Sequence, residues 1–137
     1  MKFNKGFTLI ELLVSISIIA ILTALATVSF TAAQKKARDA RRAQDIKLLQ
    51  LAAEQYASQS GGVYPNSNSA PWTAAGQTVL ESMPFDPKSG WTPYSLNVGS
   101  SNYCVCATME NFAAGNASTS CIFTSGTGPL FCAKNQQ

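Results

Sequence analysis

Few side chains in this chain can do chemistry. Among its 137 residues there is no histidine, so Ser-His-Asp and Cys-His schemes are closed. Asp86 and Glu110 are the only acids between residues 82 and 137, and nothing in their spacing marks an acid–base pair. Residues 111–137 hold no Asp or Glu, so a calcium loop there would have only carbonyl oxygens and bind weakly. The expectation is a non-enzyme without a cofactor or a metal. Four cysteines remain, Cys104, Cys106, Cys121 and Cys132. An even count in a small head with few large aliphatics reads as disulfides, each adding roughly 3 kcal/mol over a loop of about 15 residues. Cys104 and Cys106 diverge as neighbours on one strand face, and the expected pairing is Cys106–Cys121 with Cys104–Cys132. The rival is a four-thiolate zinc site, but Cys-x-Cys is not the usual knuckle spacing.

The last reactive group is Glu11. From Leu12 to Gln34 no residue is charged, so this carboxylate stands alone at the edge of an apolar run. An ionised side chain at bilayer depth costs roughly 2.5–3.5 kcal/mol and is rarely idle. Leu12 to Ala33 would make a helix of about 33 Å, close to a hydrocarbon core of roughly 30 Å. Hydroxyls at 15, 17, 23, 27, 29 and 31 can be carried by back-bonding to helix carbonyls. Lys2 and Lys5 make a basic leader, which also fits a secretory signal. Against that, the run is long and its small residues make a weak cleavage site.

The segment Gly6-Phe7-Thr8-Leu9-Ile10-Glu11-Leu12-Leu13-Val14 resembles the N-terminal processing signature of type IV pilins and type II secretion pseudopilins. The resemblance implies a membrane peptidase that cuts between Gly6 and Phe7 and methylates Phe7. Glu11 matches the family's helix glutamate. Cleavage would create an ammonium at the helix start, which Glu11 can meet within one chain or between staggered chains, fixing axial register. The alternative has Glu11 simply resting at headgroup level. Many relatives carry a glycine at the position of Ala20 and a proline at that of Val28. Their absence predicts a helix continuous through 20–30.

The elements that hold these groups follow from breakers and periodicity. No Gly or Pro occurs from Phe7 to Ser60, and Gly61-Gly62 then stops the helix. Ile46, Leu49, Ala53 and Tyr56, flanked by Leu48 and Ala52, form a helical stripe that docks on something. Lys35, Lys36, Arg38, Arg41, Arg42 and Lys47 against Asp39 and Asp45 make residues 35–47 basic. That stretch could bind anionic headgroups or nucleic acid; the preferred readings are a solvated face with pairs such as Arg41–Asp45, and charge pairing between subunits. Residues 61–93 are rich in Gly, Ser, Asn and Pro and read as a connection, with a short helical piece at 76–82. Within it, Tyr64-Pro65 and Asp86-Pro87…Gly90…Pro93-Tyr94 resemble the segments after the helix and before the first strand of major pseudopilins.

Residues 94–98 and 102–108 read as a hairpin around Gly99-Ser100-Ser101, with Tyr103, Val105 and Ala107 on the face toward the helix. Ser120–Thr124 reads as a third strand, and the Asn116-Ala117-Ser118 sequon as loop. Trp72 and Trp91 read as packing residues. The expected organisation is a leader (1–6), a membrane or filament-core half-helix (7–34), an amphipathic half-helix (35–60), a connection (61–93) and a small disulfide-stapled antiparallel sheet (94–137). The fold class is α+β, the pilin architecture.

The resemblance implies a structural subunit of a type IV pilus-like filament. Its partners would be copies of itself, a prepilin peptidase, an assembly platform with minor pilins, and the membrane before assembly. The alternatives are a pseudopilin of a secretion or competence system, or a minor pilin whose head binds DNA. Five basic residues just after the apolar run outweigh two before it, which by the positive-inside rule would leave the head in the cytoplasm. The cysteines and the resemblance place it outside.

Overall fold

The computed structural model describes residues 6–92, 94–99, 102–119 and 121–136. Of the positions singled out above, residues 1–5, Pro93, Ser100, Ser101 and Ser120 lie outside the described residues. The chain divides into two compact units at Gln34/Lys35.

In the first unit the apolar run is helical, as part of α1 (Leu9–Gln59). Every described side chain from 6 to 34 is exposed, including Ile10, Ile18, Leu25 and Phe30. This helix is long and apolar enough to cross a membrane. All six hydroxyls return to the helix's own carbonyls, from Ser15 to Glu11 O (2.7 Å) through Thr31 to Val28 O (2.9 Å). The helix runs unbroken through residues 20–30, where neither Gly nor Pro interrupts it.

In the second unit, α1 ends where the sequence says it must. Gly61 takes a left-handed φ of 68°, and the Gly62 amide donates to Ala57 O at 2.8 Å, the closing bond of a Schellman cap. Ile46, Leu49, Ala52, Ala53 and Ala57 are buried, with Tyr56 packed at their edge and Leu48 exposed. The same stripe runs back through Arg42 and Asp39, both buried. The solvated Arg41–Asp45 pairing expected from the sequence gives way to other contacts. Arg42 pairs with Asp39, and Asp45 accepts the Tyr94 hydroxyl at 2.7 Å.

The connection is not wholly irregular. β1 (Trp72–Ala74) and β2 (Gln77–Leu80) form a hairpin. This corrects the helical piece expected at 76–82. Ala75 and Gly76 both have positive φ and close a two-residue turn, and the β-branched Thr78 and Val79 favour strand.

The main sheet is antiparallel, in the order β3-β4-β7-β5-β6. Its strands are β3 (Ser95–Val98), β4 (Tyr103–Thr108), β5 (Gly115–Thr119), β6 (Ile122–Gly128) and β7 (Leu130–Lys134). β3 and β4 make the expected hairpin, with the Gly99 amide donating to Asn102 O at 2.7 Å. Tyr103, Val105 and Ala107 pack on the α1 stripe; Cys104 and Cys106 cover the opposite face with Ala117 and Cys132. The third strand begins at Ile122 and extends to Gly128, and two further strands flank it in sequence. The sequon is strand, not loop: Asn116 lies in β5, its amide donating to Cys132 O (2.9 Å) and accepting from the Cys132 amide (2.7 Å). The arrangement is α+β, one long helix with an antiparallel sheet.

Candidate functional site

The amino-terminal segment is laid out by one local motif. Gly6, Phe7 and Thr8 precede the helix, and Phe7 is 79% exposed, so the Gly6–Phe7 peptide stands outside regular structure. Thr8 is the N-cap. Its Oγ1 accepts the Glu11 amide at 3.3 Å, while Glu11 Oε2 accepts the Thr8 amide at 2.9 Å and the Thr8 hydroxyl at 2.8 Å. This is a reciprocal capping box, Thr-x-x-Glu, satisfying the orphan amides of the first turn. Thr8 was missed in the sequence reading, though the three-residue spacing to Glu11 before an apolar run is its signature. Both of these bonds fall on Oε2, leaving Oε1 outside the cap.

A second cluster gathers at the start of the second unit. Arg42 is fully buried. Its Nε and Nη2 donate to the two Asp86 oxygens at 2.7 Å each, and its Nη1 to Asp39 at 2.7 Å and Glu110 at 3.2 Å. Trp91 covers the guanidinium, 4.3 Å from its ring centre. Arg38 forks onto Glu110, and Asp39 accepts the amides of Glu110 and Asn111 at 2.9 Å each. Two loops, around Asp86–Trp91 and Glu110–Phe112, are thereby fastened to α1. The cluster brings Asp86 and Glu110 together, as neighbours of one cation. The Arg38 fork lowers the Glu110 carboxyl to about 2, against burial, with Arg42 assisting. Burial alone would raise the Asp86 carboxyl; hydrogen bonds from Arg42 and the Lys88 amide outweigh it and hold it below its usual range. Both stay ionised at neutral pH, so neither offers a proton for catalysis.

A depressed carboxyl pKa means that the folded head holds fewer protons than the unfolded chain between the two values. Stability is then full above about pH 5 and is lost as the pH falls toward 2. We expect acid to cost on the order of 2–3 kcal/mol through Glu110. Urea melts at pH 7, 4 and 2.5 measure it, and a midpoint that does not move with pH contradicts it.

The cysteines occupy the outer face of the sheet. Cys106 bonds Cys132 and Cys104 bonds Cys121, which corrects the pairing expected from the sequence. Register decides it: Cys106 lies directly opposite Cys132 across β4 and β7, while Cys104 lies opposite Lys134. Cys104 is thus left to reach Cys121 in the β5–β6 turn. The sulfurs of Cys104, Cys106 and Cys132 lie within 4.8 Å of one another, the spacing of a metal cluster. Bound in disulfides they are not thiolates, so this arrangement offers zinc no ligand set. Trp72 is buried with its indole N–H on Ser67 O at 3.1 Å, a packing role.

Residues 1–27 match the prokaryotic N-terminal methylation motif, the prepilin signal of type IV pilins and pseudopilins. No curated protein and no solved structure matches the chain. The motif and the exposed apolar half-helix behind it fit membrane anchoring before assembly into a filament.

Proposed function

We propose that the chain is a pilin, the structural subunit of a type IV pilus-like filament. A prepilin peptidase cuts between Gly6 and Phe7 and the Phe7 amine is methylated. The apolar half of α1 holds the subunit in the membrane with its head outside, and then packs with other copies to form the filament core. The carrying observation is a prepilin signal leading directly into a helix whose large apolar side chains from Leu9 to Phe30 are exposed among the described residues. Such surface must be covered by lipid or by copies of itself. The outside placement draws support from two disulfides, which persist in oxidising compartments. In the assembled state a neighbour's Phe7 ammonium meets Glu11. Intact mass and N-terminal sequencing of the protein from sheared cell-surface fibres test the reading. The expected product starts at N-methylated Phe7; a product that starts at Met1 and is absent from fibres overturns it.

A further inference from the structure

The two most exposed large apolar side chains described in the second unit are Phe85 (83%) and Phe112 (69%). Both sit on the loops that Arg38 and Arg42 fasten to the first turns of this unit's helix. Phe112 lines a hollow with Lys35, Lys88 and Trp91, and Phe85 lines another with Lys88 and Trp91. The aromatic pair is therefore grouped with Lys35, the unit's first residue. Lys35 and Lys88 line these hollows, Lys36 follows Lys35 in the chain, and Arg38 and Arg42 face the acids Asp39, Asp86 and Glu110. All three acids are engaged by Arg42 or Arg38; Lys88 is exposed but also reaches Glu110 at 3.4 Å and lies over Trp91, while Lys35 and Lys36 are exposed.

We propose that this face rests on an anionic lipid surface before the subunit is assembled. Phe85 and Phe112 enter the headgroup boundary, and Lys35 and Lys36 meet lipid phosphates. The argument for lipid as the occupant is covalent continuity and charge. Lys35 follows directly on Gln34, the last residue of the uncharged run, so chain connectivity holds the face near the point where a membrane-spanning helix leaves the bilayer. Exposed phenylalanines beside lysines match the composition of segments that lie in a membrane interface, the rings entering the acyl boundary and the ammonium groups reaching phosphate. The inference rests on the membrane reading above.

The test uses the full chain in vesicles of phosphatidylcholine with phosphatidylglycerol, at a low and at a high ratio of chain to lipid. p-Benzoylphenylalanine is placed singly as Phe85→p-benzoylphenylalanine, at Phe112, at Leu25 in the apolar run, and at Ile122 on β6. After irradiation, mass spectrometry reads lipid adducts and protein dimers. We expect lipid adducts at 85 and 112 at least about fivefold above those at 122, and a fall of similar size on Lys35→Gln with Lys36→Gln in anionic vesicles only. Adducts at 25 with none at 85 and 112 overturn the lipid face and leave the membrane reading standing. No adduct at 25 overturns both. Protein dimers through 85 and 112 in place of lipid adducts assign the face to a second copy and overturn the proposal.

Discussion

Arg42→Ala destabilises the head by about 3–5 kcal/mol, the largest effect expected of any single side chain in it. The side chain is fully buried, and three carboxylates converge on it, each with about 5% of its side-chain surface exposed. Deleting the cation does not return those acids to water. Arg38 still serves Glu110, but Asp86 loses both guanidinium bonds and Asp39 loses its bond to the guanidinium. An uncompensated buried charge costs more than the pair contributed, so the loss exceeds that of an ordinary salt bridge. For a head of this size it lowers the melting temperature by at least about 12 °C. Arg41→Ala, one residue away and exposed, stays within about 0.5 kcal/mol of the parent. Arg42→Lys falls between them, keeping a charge but losing the two-pronged grip on Asp86 and the stacking on Trp91. Near-UV circular dichroism melts in detergent compare the three variants. Equal melting of Arg42→Ala and Arg41→Ala would show that the cluster does not hold the head together.

Arg42 also shows what the sequence conceals. Asp39, Arg42, Ile46, Leu49 and Ala53 share one helical face, and that spacing is readable from the residues alone. Charge disguised it, because a basic stretch is ordinarily solvated and its burial depends on acids that arrive from loops 44 to 72 residues away. The breaker-free run, the Gly61-Gly62 stop and the β3–β4 hairpin were legible because each is a local signal. Of the later strands the start of β6 was legible, and β5 and β7 were not. The Gly, Ser and Thr content of β5 and β6 carries no alternation, and Gly115 and Gly128 sit where backbone oxygens of Leu130 and Ala117 leave no room for a Cβ. Close approach of strands, not propensity, selects those residues. Disulfide connectivity was hidden for the same reason, since it follows from a β4–β7 register that only the assembled sheet sets. Thr8 differs from these cases: the capping box is a local signal in the sequence, and Glu11 carries both that role and a longer-range one.

That double engagement makes Glu11 the position where two variants separate two roles. Glu11→Ala removes the carboxylate from the membrane run, which eases insertion, and also removes the far half of the cap at the helix start. Glu11→Gln keeps an oxygen that can accept from the Thr8 amide and hydroxyl, but carries no charge for a neighbour's ammonium. If the charge sets register, both variants insert in the membrane and both fail to yield ordered fibres, with at least about a tenfold loss of subunit in the sheared fraction. Such a loss corresponds to about 1.4 kcal/mol of differential stabilisation, well within the worth of a desolvated ion pair. If the cap alone matters, Glu11→Gln assembles normally and Thr8→Val fails with Glu11→Ala. Quantifying subunit in membranes and in sheared fibres for these three variants decides between the two. Abundant, regular fibres from Glu11→Gln would remove the ion pair from the assembly mechanism and leave Glu11 as the far half of a helix cap.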